Sequence, residues 1–210
     1  MAWIPDSHDS ILDHASGEKT VFTIGYNGSW GDFRCSVKGI LSQLASVDFP
    51  FRFICIGKYQ PDFCRWVEKY GLAGSVFMFE PVDNTQAQEL LRQCDALFIH
   101  KGPPDRGKSD THLATQAIDY VASGRLILAE LPEGETVSFL RRFAGQLYEV
   151  NAKYTGEYQQ QLSALYHRWQ QQPEQRYFPS SEFYQAFDPQ NLACRLYQLL
   201  NEVRFHALAS

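Results

Sequence analysis

Between Val21 and Val150 the chain alternates short apolar runs with segments whose apolar residues recur at helical spacing. Val21-Phe22-Thr23-Ile24-Gly25-Tyr26 predicts a first strand, followed by a Gly/Asn-rich loop. Val37, Ile40, Leu41 and Leu44 fall at the i, i+3, i+4, i+7 positions of one helix face. Residues 51–57 predict a second strand. Phe63, Trp66, Val67 and Tyr70 mark the next helix, stopped at Gly71. Residues 75–79 form a third run, followed by a helix carrying Ala87, Leu90, Leu91 and Cys94. Residues 95–100 form a fourth, before a helix with Leu113, Ala117, Tyr120 and Val121 that ends at Gly124. Residues 125–129 predict a fifth strand. A further helix after Glu135 leads to a short sixth strand at 146–150.

Strict alternation with short connections implies a parallel sheet with helices on both faces. Near-continuous apolar strands are what burial on both sides requires. The predicted fold class is therefore α/β, a doubly wound parallel sheet with extra C-terminal helices. Residues 1–19 are polar and read as a linker, 20–170 as the α/β domain, and 171–210 as its helical extension. Tyr158, Leu162, Leu165 and Trp169 form one helical stripe, and Leu192, Leu196, Leu199, Leu200 and Val203 another. Both read as packing surface. A Gln-rich turn with Pro173 and Pro179 separates them.

Composition narrows the function. A net charge of −5 over 210 residues argues against bulk electrostatic binding to nucleic acid. Five cysteines, odd in number and without a CxxC pair, read as reduced core residues of a cytoplasmic protein. No Cys/His spacing suits a metal, so none is expected. Met1–Ser10 does not resemble a signal peptide, and no apolar run is long enough to span a bilayer. Peripheral contact with the inner face of a membrane stays open.

In an open parallel sheet, ligands bind beyond the carboxyl ends of the strands. That rule nominates the loops at 26–34, 58–60, 80–84 and 101–111, and the turn after Ala129. The loop from Lys101 to Thr111 carries Lys101, Arg106 and Lys108 and offers Ser109, Asp110 and Thr111 as helix caps. It reads equally as a phosphate site at a helix N-terminus and as a solvated surface loop. The first loop, from Gly25 to Gly31, lacks the GxGxxG spacing, and Lys58 stands where a ribose-binding acid would follow the second strand. No GxxxxGK[ST] loop exists. Both points argue against nicotinamide or flavin oxidoreductases and P-loop NTPases. Asp119 lies mid-helix beside an apolar face, as a solvent-facing residue or as a carboxylate that needs partners. His100, His112 and His167 show no triad-like context.

The segment Gln116-Ala117-Ile118-Asp119-Tyr120-Val121-Ala122-Ser123-Gly124-Arg125-Leu126-Ile127 resembles the E-x-x-A-x-G-x-P-V signature of the group 1 glycosyltransferases, which have the GT-B fold. Ile4-Pro5-Asp6-Ser7-His8-Asp9 is similar to the linker ahead of their donor-binding domain. Ile24-Gly25-Tyr26-Asn27-Gly28 and Val37-Lys38-Gly39 resemble its opening strand, glycine loop and KG helix. Residues 53–57 and 94–99 resemble its later strands, so the likeness runs in order from Ile4 to about Val150. It implies a Rossmann-like C-terminal domain that binds a nucleotide sugar and needs no cofactor or metal. The implied donor-binding residues are Gly28, Arg34, Lys38, Phe79, Val82, Lys108, Thr111, His112 and Asp119. Asp119 would hold the ribose, Lys38 and Arg34 the diphosphate, Thr111 and His112 the phosphates or sugar, and Phe79 to Val82 would border the base. Lys38 and Asp119 are the implied catalytic residues. The implied reaction is sugar transfer from a nucleoside diphosphate, usually with retained configuration, in polysaccharide or lipid-linked glycan synthesis. Here Asp119 replaces the usual Glu, only Asp110 lies near the earlier acidic position, Leu126 replaces Pro, and Gln116 stands where some relatives have Lys.

GT-B enzymes bind the acceptor on an N-terminal domain, and this chain begins at the linker-like segment. The expectation is half an enzyme, inactive alone and active when joined to its acceptor domain. A second reading is a non-catalytic α/β module that binds a nucleotide or a protein. A third is a nucleotide-sugar epimerase of the same shape.

Overall fold

All six apolar runs become strands in a computed structural model of the chain, which describes residues 21–28, 36–58, 61–102, 110–151 and 153–208, with backbone alone at 36, 37, 61, 189 and 202–208. The strands are β1 (Phe22–Asn27), β2 (Phe51–Ile56), β3 (Val76–Phe79), β4 (Ala96–His100), β5 (Leu126–Glu130) and β6 (Leu147–Glu149). Their order is β3-β2-β1-β4-β5-β6, and every pairing is parallel. β2 and β3 lie to one side of β1, and the chain then returns to place β4 on its other side. The reversal between β1 and β4 is where such sheets open a crevice at their carboxyl edge.

The connecting helices are α1 (Ser36–Leu44), α2 (Pro61–Lys69), α3 (Asn84–Arg92), α4 (Thr115–Ser123) and α5 (Glu135–Phe143); α6 (Thr155–Gln171), α7 (Ser181–Phe187) and α8 (Pro189–Leu208) follow β6. Right-handed crossovers put α1 and α2 on one face of the sheet and α3, α4 and α5 on the other. The core is accordingly double. Ile40, Leu41, Phe63 and Val67 pack on one side of the strands with Tyr158, Leu162, Leu165 and Trp169 of α6. Leu90, Leu91, Ala117, Val121, Leu140 and Phe143 pack on the other, with Phe183 of α7.

Three expectations shift. Cys94 lies just beyond the end of α3, where it is still buried. The helix after β4 begins later than its polar cap residues suggested. Ala114 is the N-cap of α4, without a side-chain cap bond, because the Asp110 carboxylate is engaged elsewhere. The stripe on α8 does not behave like that on α6. Leu192, Leu196, Leu199 and Leu200 are exposed, because α8 packs chiefly on α7 and leaves the body of the domain. The linker-like segment 1–19 and the cap candidate Ser109 lie outside the described residues. No helix of the described residues is long and apolar enough to cross a membrane.

Candidate functional site

The carboxyl edge at the β1/β4 reversal is a polar patch built from the ends of several elements. β1 is tied down by α4. The Asn27 amide donates to the Tyr120 hydroxyl at 3.1 Å, and the Gln116 side-chain amide donates to the Asn27 carbonyl. Burial pushes the Tyr120 phenol up, so it stays a neutral hydroxyl and can both give and receive. The Gly28 amide is already committed to the Ile56 carbonyl at 2.9 Å. Gly57, at φ +135°, passes so close that a Cβ there would run into the Gly28 carbonyl oxygen. Glycine at 57 is therefore what lets the ends of β1 and β2 meet.

Beyond β4 a charged cluster closes the edge. The Lys101 ammonium pairs with Asp110 Oδ1 and donates to the His112 carbonyl at 3.0 Å. The His112 amide approaches the same Asp110 oxygen at 3.4 Å. The Asp110 carbonyl accepts from the Glu135 amide at 2.9 Å, which seats the start of α5 against this loop. A Cβ at Gly134 would collide with Asp110, so this contact too requires glycine. Fully buried Thr136 completes the knot. Its hydroxyl donates to the His112 carbonyl at 2.8 Å and accepts from the Ala114 amide at 3.1 Å. Asp110 is buried, yet its second oxygen, Oδ2, has no hydrogen-bond partner among the described residues. A buried carboxylate oxygen left unpaired costs a few kcal/mol, so any donor that gained access to it would bind favourably. His100, at the end of β4, is buried with its ring stacked on Phe98 and Nδ1 3.2 Å from the Glu130 carbonyl. Burial lowers its pKa to about 4, so it is neutral at physiological pH.

The sequence-nominated residues divide by position. Thr111 and His112 are exposed beside the Lys101–Asp110 pair. Gly28 sits at the end of β1 and buried Phe79 at the end of β3, with half-buried Val82 just beyond. Lys38, on α1, places its ammonium over the ring of Trp66 of α2 at 4.9 Å, on the other side of the sheet from α4. Asp119 is exposed on the side of α4 that faces α3. It lines a groove of about 350 Å³ with Gln88, Arg92, Ser123 and Phe178. Partial burial raises its carboxyl above the ordinary value. Gln116 and Tyr120, not Asp119, are the α4 side chains hydrogen-bonded to the end of β1. Arg34 and Lys108 lie outside the described residues. Sequence reasoning did not nominate Tyr120, Gln116 or Thr136 as site residues. Their only signal was placement: Gln116 and Tyr120 one turn apart on the helix after β4, and Thr136 just past the turn after β5.

Among the described residues no three His, Cys, Asp or Glu side chains converge as metal ligands. The patch instead offers a fixed cation, an unpaired carboxylate oxygen, hydroxyls, and the uncapped start of α4, a combination suited to a polyhydroxylated, negatively charged ligand.

No protein-family model and no curated protein matches the chain. Solved structures share its fold at low identity. Anabaena HepE in complex with UDP-glucose superposes with a TM-score of 0.66 at 12% identity, over 87% of this chain and 49% of HepE. A putative UDP-N-acetylglucosamine 2-epimerase from Listeria monocytogenes superposes with a TM-score of 0.53 at 14% identity, over 82% of this chain and 44% of that one. OtsA in its apo form gives 0.52 at 13% identity, over 78% and 39%. The chain thus spans half or less of the length of these structures. The shared architecture is the Rossmann-like half of the GT-B fold, as the sequence resemblance implied.

Proposed function

We propose that this chain is the nucleotide-sugar-binding half of a glycosyltransferase, acting with an acceptor-binding half that lies outside these residues. The observation that carries the reading is the buried, unpaired Oδ2 of Asp110 beside Lys101, at the carboxyl edge next to the β1/β4 reversal. A sugar hydroxyl is the neutral donor that would satisfy that oxygen. The donor diphosphate lies against the start of α4, whose first amides and partial positive charge stabilise the departing phosphate. Thr111 and His112 flank it. The base borders Phe79 and Val82, and Asp119 takes the ribose from its side of α4. Lys38 reaches the diphosphate by leaving the face of Trp66, a contact worth only about 1 kcal/mol at an exposed site. Sugar transfer then passes through an oxocarbenium-like state, with retention and without a metal. That HepE was solved with UDP-glucose supports this class of ligand.

Calorimetry with UDP, GDP and ADP, each with and without an attached sugar, tests the proposal. One base should bind saturably, and Asp119→Ala should weaken it about tenfold or more. Asp110→Asn should weaken the sugar nucleotide but not the free nucleoside diphosphate. In a protein that includes the acceptor half, Lys38→Ala should abolish transfer. The competing reading is a non-catalytic α/β module that binds a nucleotide or a protein, and the seating of Lys38 on Trp66 favours it. Absence of saturable binding to every nucleotide, with Asp119→Ala silent, would favour that alternative in its protein-binding form.

A further inference from the structure

Asn27, the last residue of β1, is half-buried at the β1/β4 reversal. Its backbone is held on both sides. The N–H goes to the Tyr120 hydroxyl at 3.1 Å, and the carbonyl accepts from the Gln116 side chain. The Gln116 amide also lies 3.4 Å from the Tyr120 hydroxyl, which joins the three residues in one set of contacts. Tyr120 is buried, so this anchor is part of the core. The Asn27 carboxamide is not tied in the same way. Among the described residues none exchanges a hydrogen bond with it. An asparagine outside regular structure commonly turns its side chain back on nearby backbone. Here α4 fixes the backbone, and the carboxamide keeps two N–H donors and an acceptor oxygen to offer.

Alternation along β1 sets the side of the sheet on which that carboxamide lies. Phe22, Ile24 and Tyr26 belong to the core on the α1–α2 side. A Cβ at Gly25 would meet Leu91 and Cys94, which belong to the opposite core with α4. Asn27 shares the side of Gly25, two residues or roughly 7 Å nearer the carboxyl edge. Gln116, which touches the Asn27 carbonyl, is the second residue of α4. The carboxamide thus sits beside the start of α4, on the same face of the sheet as Asp119. The nearby cations are engaged: Lys101 by Asp110, and Lys38 by the Trp66 ring on the other face. A phosphate oxygen accepts hydrogen bonds, and the positive end of α4 favours one here. A side chain whose backbone is clamped has less freedom to lose when it binds.

We infer that Asn27 is a binding residue for the donor diphosphate, its side-chain N–H groups directed to a phosphate oxygen, with Tyr120 and Gln116 positioning it. The inference rests on the nucleotide-sugar reading above. Its test uses whichever of UDP, GDP and ADP binds the wild-type chain, together with the matching nucleoside, each titrated by calorimetry or NMR. Asn27→Ala should weaken the diphosphate about tenfold, the scale of a hydrogen bond to a charged group, and change the nucleoside by less than about twofold. Asn27→Asp keeps the size but sets a carboxylate against the phosphates, and should weaken the diphosphate about a hundredfold. Tyr120→Phe keeps the ring and removes the oxygen that takes the Asn27 N–H. It should weaken the diphosphate about threefold and spare the nucleoside. Equal losses of both ligands in all three variants overturn the inference, because they report a loosened fold. Diphosphate binding indifferent to all three variants, while Asp119→Ala still weakens it, overturns the inference and leaves the donor reading standing. A wild-type chain that binds no nucleotide overturns both.

Discussion

His100 shows how one buried side chain ties the candidate site to pH. The residue is 8% exposed, and its ring stacks on Phe98 at a centroid distance of 6.2 Å. Burial disfavours the imidazolium and lowers the pKa from 6.5 to about 4. In the unfolded chain His100 takes up its proton near pH 6.5, whereas in the folded chain it does so only near pH 4. The unfolded state therefore binds more protons between these values, and stability falls as pH falls through the window, by roughly 3 kcal/mol. His100→Phe keeps the stacking and removes the titration. Urea denaturation at a series of pH values should show a shallower loss between pH 6.5 and 4 in the variant than in the wild type. The same scale holds the main surprise of the site. Lys101 and Asp110 are nine positions apart, so nothing local indicated their pairing; the close approach allowed by Gly134 brings Asp110 back against α5.

The contrast between α6 and α8 belongs to the level of the element. Their sequence stripes are alike, and both read as packing surface. In the fold, Leu162 on α6 is 0% exposed and Leu196 on α8 is 58% exposed. Leu162→Ala removes a side chain from the close-packed first face of the sheet and should cost about 2–5 kcal/mol. Leu196→Ala removes one that touches little in the single chain and should cost less than about 0.5 kcal/mol. Denaturant titration compares them directly. Similar costs would mean that α8 folds back on the domain. The start of α4 carries the same lesson. Ser109, Asp110 and Thr111 have the chemistry of caps, but the ion pair with Lys101 draws Asp110 away, and α4 begins at Thr115 behind Ala114.

At the scale of the whole molecule, the reversal of strand order decides where a ligand can sit. At that edge Gln116 and Tyr120 of α4 hold the end of β1, and the Asp110 carbonyl holds the start of α5. A nucleotide sugar bound there stabilises only the folded state. At ten times its Kd it should add about 1.4 kcal/mol, which corresponds to a rise in Tm of about 3–6 °C for a chain of this size. Thermal unfolding with and without donor checks this, and at the same donor concentration a tenfold weaker Asp119→Ala should keep only about 0.4 kcal/mol of it, a rise of about 1–2 °C. On the proposed reading, the same preparation should bind donor without transferring sugar.

The periodicity of apolar residues determined the six strands, the alternating helices and the parallel sheet, because burial on two faces constrains every strand residue locally. The family-like segment around Asp119 likewise indicated the GT-B half. What the tertiary structure alone decided are relations between distant residues: that Asp110 pairs with Lys101 and keeps one oxygen free, that Gln116 and Tyr120 grip the end of β1, that Lys38 rests on Trp66, and that the last helix leaves its leucines uncovered. Periodicity reports which face of an element is apolar, whereas the identity of what meets that face is set by chain crossings and close approaches. Those depend on the whole fold and leave no local trace.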